Sequence, residues 1–273
     1  YSQDQIAEIF RERFSGKFKH TPGLGWFRWD GKVWVSIDKS IVCEAVRAIC
    51  REYSNTAFIK EKTRSLARKM SSRQFISGVE EMCRGVSEFN LQVGGWDSHP
   101  DILNTPKGTL DLTSGKVLPH DPQKFLTQIS KIGIGGELKH WLEVINFVTS
   151  GNDEFSRFIQ RALGYGLFGT PSEEVFFYLY GSGCNSKGVI LGTLQYVLDT
   201  YATTAPVELF LASKNQRHPT ELAKLRGKRV VIAQEVNEGM YWDEAKLKML
   251  TGRDTITARF MRQNFFDFEP QHT

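Results

Sequence analysis

The segment from Gly181 to Val189, GSGCNSKGV, carries the residue types of a phosphate-binding loop. Lys187 lies six residues after Gly181, which is the spacing of the Gly-x4-Gly-Lys pattern. Glycines let the backbone turn its N–H groups toward a phosphate, and the lysine adds a neutralising charge. Two positions depart from the pattern, because Ser186 stands where a second glycine is expected and Gly188 stands where a hydroxyl residue is expected.

The two departures have different predicted consequences. Ser186 costs about 1–2 kcal/mol if its position requires a positive φ, whereas Asn185 tolerates left-handed backbone better than most residues. Gly188 removes the hydroxyl that usually binds Mg²⁺, so a water or another side chain must complete the metal's shell. We predict that this loop binds ATP with Mg²⁺. Its predicted ATP-binding residues are Gly181, Ser182, Gly183, Cys184, Asn185, Ser186, Lys187, Gly188 and Val189.

The surroundings of the loop favour a nucleotide site over a chance match. The apolar run Phe176 to Tyr180 predicts a strand buried on both faces before the loop, and Ile190, Leu191, Leu194, Val197 and Leu198 predict a helix after it. A second apolar strand, 230–233, is followed by Glu235. Because ligands lie outside the carboxyl ends of parallel strands, Lys187 and Glu235 can reach one crevice. We predict that Glu235 holds the metal's water shell or polarises the attacking water, with Glu238 as a second catalytic acid.

A third block, LKMLTGRDTITARFMRQNFFDFEP, runs from Leu247 to Pro270. Residues 255–260 and 265–268 are strand-like, and MRQN between them is turn-like, so the block predicts a β-hairpin with cations near its tip. Its phenylalanines are predicted to lie mostly in the core: Phe260, Phe265, Phe266 and Phe268.

Together with LNTPKGTLDL and LPHDP, these three motifs make nearly the whole chain resemble the superfamily 3 helicases of phage and plasmid helicase–primases, which are related to the poxvirus helicase–primase. The resemblance implies that Lys248, Arg259 and Arg262 point into a central channel and bind single-stranded DNA phosphates in a salt-dependent way. Ordinary surface charge on a hairpin is the alternative. The family continues into a polar sensor residue and an arginine that completes a neighbouring subunit's site, and this chain ends at Thr273 before both.

Bulk properties exclude several classes of protein. In 273 residues with a net charge of +4, no apolar run is long enough to span a membrane. The four cysteines form no C-x-x-C pair, which indicates reduced thiols in a cytoplasmic protein, and the six histidines have no zinc-ligand spacing. Between Lys60 and Arg73, six cations face only Glu61; they form either a solvated helix face or a nucleic-acid footprint.

The N-terminal part predicts mainly helices. Ile6, Ile9, Phe10 and Phe14 mark a first helix, and residues 41–89 predict further helices with breaks near Ser54 and at residues 71–72. Between them, Asp30-Gly31 predicts a two-residue hairpin with Phe27, Trp29 and Trp34 on one face. We expect these rings to pack in the core more readily than to stack on bases. Gly133–Gly136 is the predicted domain boundary, and two short amphipathic helices follow it.

The predicted fold is therefore α/β. A mainly helical accessory domain with a β-hairpin, residues 1–135, precedes an AAA+ P-loop ATPase core, residues 136–273, with a central parallel sheet, flanking helices and a DNA-contacting hairpin. The predicted function is an ATP-dependent DNA helicase fragment of a phage or plasmid replication protein in a prokaryotic cytoplasm. It would act as a ring, most simply a hexamer, with a primase or polymerase domain upstream of Tyr1. The alternatives are a catalytically weakened loader or scaffold, a small-molecule P-loop kinase, and a DNA-binding module without nucleotide.

Overall fold

The computed structural model describes residues 1–61, 64–181, 185–212, 220–234 and 239–273, with backbone alone for residues 56–61 and 64. By its internal contacts the chain divides into two compact units, Tyr1–Gly95 and Trp96–Thr273. This division differs from the domains 1–135 and 136–273, which stay a prediction.

The first unit is helical around one small sheet. The helices described in it are α1 (Gln3–Phe14), α2 (Lys39–Glu61), α3 (Arg64–Met70) and α4 (Arg73–Gly85). Its antiparallel sheet has the order β1-β2-β3, formed by β1 (Phe18–Thr21), β2 (Gly25–Trp29) and β3 (Trp34–Ile37). The strand β1 was not predicted from the sequence.

Local capping explains where the helices of this unit begin and end. Ser2 and Gln5 form a reciprocal capping box at the start of α1. The predicted break at residues 71–72 is confirmed, because the Ser72 side chain accepts a hydrogen bond from the Phe75 N–H and starts α4. The predicted break near Ser54 is wrong, since α2 continues to Glu61. The Ser54 hydroxyl donates to the Arg51 carbonyl at 3.2 Å, which satisfies a hydroxyl within the helix.

The hairpin around Asp30 is confirmed, but its loop is longer than predicted. Trp29 pairs with Trp34, so four residues connect the strands instead of two. The Asp30 carboxylate accepts hydrogen bonds from the backbone N–H groups of Lys32 and Val33, at 2.8 Å each, which stabilises this wider turn. The register places Phe27, Trp29 and Trp34 on one face, as predicted, and Phe27 and Trp34 are buried.

An aromatic core and an ion pair of the buried Glu80 carboxylate hold the first unit together. The rings of Phe10, Phe18, Trp26 and Phe89 pack against one another with centroids 5.4–6.5 Å apart. The fully buried Glu80 accepts a hydrogen bond from the Trp26 indole at 2.6 Å and two from Arg84 at 2.8 and 2.7 Å. Buried polar atoms are costly unless they are paired, and this carboxylate is paired on both oxygens.

The second unit combines helices with small sheets. The helices described in it are α5 (Lys139–Val148), α6 (Asp153–Tyr165), α7 (Lys187–Leu198), α8 (Thr220–Ala223) and α9 (Glu244–Thr251). An antiparallel sheet contains β4 (Ile102–Thr105), β5 (Gly108–Asp111) and β6 (Val117–Leu118). A parallel pair is formed by β7 (Ala202–Thr204) and β8 (Val230–Ile232), and a hairpin by β9 (Ile256–Ala258) and β10 (Phe266–Phe268). The two helices predicted after Gly136 are α5 and α6.

The parallel strands β7 and β8 pack against α7, the helix that follows the candidate phosphate loop. Ala202, Val230 and Ile232 are buried together with Leu198 at the end of α7, and Leu191 and Leu194 of α7 pack against them. On its other edge, β8 is bonded to Thr273, which donates to the Arg229 carbonyl and accepts from the Val231 N–H. Among the described residues the parallel sheet has two strands, so the described fold is mixed α/β with small sheets, and the larger central sheet stays a prediction.

The predicted buried strand at Phe176 to Tyr180 is wrong. These five residues are not in a strand, and their side chains are 38–81 % exposed. A strand buried on both faces needs hydrogen-bonded neighbours and covering layers, and within the described residues this segment has neither. Its rings contact one another and Trp242 instead, with centroids 6.0–6.4 Å apart for the pairs Phe176–Trp242, Tyr178–Tyr180 and Tyr178–Trp242.

Among the described residues, no helix is both long enough and apolar enough to cross a membrane.

Candidate phosphate loop and basic hairpin

The candidate phosphate loop ends at the first turn of α7, which begins at Lys187. Ser186 is the residue before the helix and has φ 62° and ψ 11°, in the left-handed region. The position where the loop pattern has a glycine therefore does adopt the conformation that favours glycine. The Ser186 side chain makes no capping hydrogen bond to the described part of α7. The twelve-residue helix thus presents the positive end of its dipole next to a lysine ammonium, an arrangement that favours an anion.

Lys187 is held by the loop itself. Its Nζ donates to the Gly181 carbonyl at 3.0 Å and to Asn185 Oδ1 at 2.8 Å. Gly181 has φ +142°, and a Cβ placed on it would lie 2.6 Å from Asn185 Nδ2. Glycine is therefore favoured at this position by its backbone angle, and a Cβ would in addition displace the Asn185 side chain.

Gly188 and Val189 occupy the first turn of α7, and both are exposed. A Cβ placed on Gly188 would meet nothing within 4 Å, so packing does not explain the missing hydroxyl. Ser182, Gly183 and Cys184 lie outside the described residues, as do the predicted acids Glu235 and Glu238. Their ATP-binding, catalytic and metal-binding roles stay predictions. Within the described ranges, no group of three or more His, Cys, Asp or Glu side chains could hold a metal ion.

The basic hairpin is formed as predicted, with shorter strands. The register pairs Phe266 with Ala258 and Phe268 with Ile256, and these four side chains are buried. Phe265 directly precedes β10 and is 57 % exposed. The prediction that Phe265 belongs to the core is therefore wrong.

The cations of the third block lie on two elements. The Arg259 guanidinium lies 4.6 Å from the centre of the Phe265 ring, within cation–π range. Arg262 is exposed in the turn and has φ 61°, a strained conformation for a long side chain. Lys248 is exposed on α9, whereas the other two belong to the hairpin. Lys248 and Arg262 are exposed and Arg259 is half-buried, and the DNA contacts of all three stay a prediction.

A buried arginine that the sequence did not single out as structural fixes the start of β8. Arg229 donates to the carbonyls of Pro100, His99 and Ile102 at 2.8–3.2 Å. Burial lowers the pKa of Arg229, but the hydrogen bonds to three backbone carbonyls stabilise the charged guanidinium. Gly169 is needed beside it, since a Cβ there would overlap the guanidinium. This anchor supports the strand after which Glu235 follows. In the sequence Arg229 stands out only as the second residue of a basic pair, Lys228-Arg229, directly before the apolar run 230–233.

Comparisons with known proteins point to the family that the motifs resemble. Residues 7–150, just over half of the chain, match the protein family described as "D5 N terminal like". A protein of Acanthamoeba polyphaga mimivirus, named "Putative helicase", is 24 % identical over 302 aligned positions, which cover 99 % of this chain and 31 % of the relative. The chain thus spans about a third of the length of the curated relative it matches. Both findings support the relation to poxvirus-type helicase–primases that the motifs indicated, and the chain belongs to the D5 N terminal like family.

Proposed function

We propose that this chain is part of an ATP-driven motor that moves on single-stranded DNA within a replication protein. The observation that carries the proposal is the geometry of the loop at the start of α7. Ser186 adopts a left-handed conformation directly before the helix, and the Lys187 ammonium donates to the Gly181 carbonyl at the other end of the loop. Such a helix end binds phosphate through its N–H groups and its dipole. The family membership and the name of the mimivirus relative support the helicase part of the proposal.

In this proposal the loop binds the phosphates of Mg-ATP and the AAA+ arrangement completes the site. Lys187 neutralises the β- and γ-phosphates. Glu235 would order the water shell of Mg²⁺ and polarise the attacking water, with Glu238 as a second acid. Since Gly188 has no hydroxyl, a bound Mg²⁺ would receive no side-chain ligand from this position of the loop, and a water or another side chain would have to supply it. The motor works as a ring, most simply a hexamer, and an upstream primase or polymerase domain belongs to the same polypeptide.

The DNA-binding part of the proposal rests on the hairpin. Arg259 and Arg262 stand on a hairpin whose inner side is anchored by buried phenylalanines, so the cations are presented on a rigid support. Phosphate contacts release counterions, and the logarithm of the affinity for single strands falls by about 0.7 per contact for each unit of log salt. Three lost contacts, including that of Lys248, therefore correspond to a slope change of about 2.

The experiment that tests the DNA-binding part is fluorescence anisotropy of a labelled oligo(dT) strand between 50 and 300 mM salt. The variant carries Lys248→Ala, Arg259→Ala and Arg262→Ala together, and we expect weaker binding with a salt slope reduced by about 2. A matched control removes the same charge from exposed lysines elsewhere, Lys17→Ala, Lys39→Ala and Lys116→Ala. If the hairpin variant kept the wild-type slope, or if the control lost as much, the hairpin would not be the DNA contact.

A loader or scaffold with weakened ATPase activity is the second candidate. It is favoured by Ser186, whose left-handed conformation is strained, and by Gly188, which lacks the metal-binding hydroxyl. A full-length parent protein with an ordinary helicase turnover number would rule this candidate out, whereas ATP binding without turnover would favour it.

A further inference from the structure

The ammonium of Lys187 has two hydrogen-bond acceptors within its own loop. It donates to the Gly181 carbonyl and to the Asn185 side-chain carbonyl, and both acceptors belong to the loop that we propose as the phosphate site. An ammonium has three N–H donors and no acceptor. A phosphate that binds Lys187 must therefore share its donors with these oxygens or replace them.

The geometry places Asn185 in this role through its contact with Gly181. The Asn185 amide lies so close that a Cβ on Gly181 would be 2.6 Å from its Nδ2 and 3.6 Å from Lys187 Nζ. The amide thus lies against the bare Cα of Gly181 while its Oδ1 is turned to the ammonium. A cation can be approached only by the carbonyl end of an amide, which fixes the orientation of the Asn185 side chain.

We infer that Asn185 is a latch that holds Lys187 against its own loop in the nucleotide-free protein and must be released when phosphate binds. This inference rests on the proposed phosphate site, and it adds a positioning residue to it. The latch lowers the apparent affinity, because a site whose competent arrangement is only partly populated binds with that fraction of its intrinsic affinity.

The size of the effect follows from the strength of one hydrogen bond to a charged group. In the protein interior such a bond is strong, but Asn185 and Lys187 are only half-buried, so water competes for both partners. We expect the removal of the Asn185 oxygen to tighten Mg-ATPγS binding about three- to tenfold.

Three versions of residue 185 separate a latch from a residue that merely shapes the loop. Asn185→Ala has no acceptor and should bind Mg-ATPγS tighter than the wild type. Asn185→Asp keeps an acceptor in the same place, adds a negative charge that pairs with Lys187 and repels phosphate, and should bind at least tenfold more weakly. The affinity should therefore fall in the order Ala, Asn, Asp, opposite to acceptor strength. Asn146→Ala, an exposed asparagine on α5, is the matched control and should bind like the wild type.

The experiment is isothermal titration calorimetry of Mg-ATPγS with the wild type, these three variants and Lys187→Ala, alongside thermal unfolding of each. If Asn185→Ala binds equally or more weakly than a wild type that binds in a Lys187-dependent way, the latch is refuted and the phosphate site stands. In that case Asn185 donates to the nucleotide or only orders the loop. If the wild type shows no binding, the phosphate site fails and the latch fails with it. Tighter binding by Asn185→Ala with an unchanged melting temperature supports the latch.

Discussion

Replacing Ser186 by glycine is expected to stabilise the second unit. Ser186 has φ 62° and ψ 11°, where the Cβ of an L residue approaches the following carbonyl at a cost of about 1–2 kcal/mol. Glycine removes this cost but gives the unfolded chain more conformational freedom, an opposing contribution of about 0.5–1 kcal/mol. The expected net gain is about 0.5–1 kcal/mol, or about 1–4 °C in melting temperature for a unit of this size.

The assay is thermal unfolding followed by circular dichroism, with Mg-ATPγS affinity measured on the same samples. Ser186→Ala keeps a Cβ and loses no capping hydrogen bond, so it should melt close to the wild type. Ser186→Val places a branched side chain in the left-handed region and should melt lower than both. If the glycine variant melted below the wild type, or if the valine variant matched it, the strain assigned to Ser186 would not exist.

Two further predictions concern the first unit. Burial raises the pKa of Glu80, but the hydrogen bonds from Arg84 and Trp26 outweigh burial and leave the pKa below its ordinary value. The stabilisation by this carboxylate is therefore present above about pH 4.3, the unfolded value, and is lost as pH falls through the folded pKa. Arg84→Met should cost about 2 kcal/mol at pH 7, since Arg84 is 37 % exposed and loses less than a fully buried partner. Thermal unfolding at pH 2.5–7 should show this penalty shrinking as pH falls below about 4.3, and a penalty independent of pH would contradict the ion pair. Burial also raises the pKa of Cys50 to about 11 and of Cys83 to about 12, so both thiols should react with Ellman's reagent only after unfolding, and rapid labelling of the native protein would contradict their burial.

Local patterns in the sequence predicted the elements whose determinants are local. The amphipathic spacing of α1 and α7, the break at residues 71–72 before α4 and the turn residues of the two hairpins all correspond to observed elements. The loop around Asp30 was predicted two residues too short, because the carboxylate bonds that widen it depend on side-chain orientation. Helix α2 passes Ser54 because a hydroxyl can bond within its own helix.

Features that depend on distant contacts could not be predicted from the sequence. The apolar run Phe176 to Tyr180 before the loop indicated a buried strand. Burial depends on neighbouring elements that cannot be read from the run itself, and Tyr180 is 81 % exposed. The same limit applies to the site. The sequence indicated a phosphate loop and the exceptional Ser186, yet the hydrogen bond between Asn185 and Lys187 and the anchoring of Arg229 are visible only in three dimensions.

The most direct test of the central claim, a phosphate-binding loop at the start of α7, is calorimetric titration of Mg-ATPγS into the wild type and its Lys187→Ala variant. Binding is the appropriate observable because it requires the loop and not the complete hydrolytic site. The account predicts saturable binding by the wild type and at least a tenfold loss in Lys187→Ala, with the melting temperature of the variant unchanged. Equal binding by both proteins, or none by either, would contradict the assignment of Gly181 to Val189 as a nucleotide site.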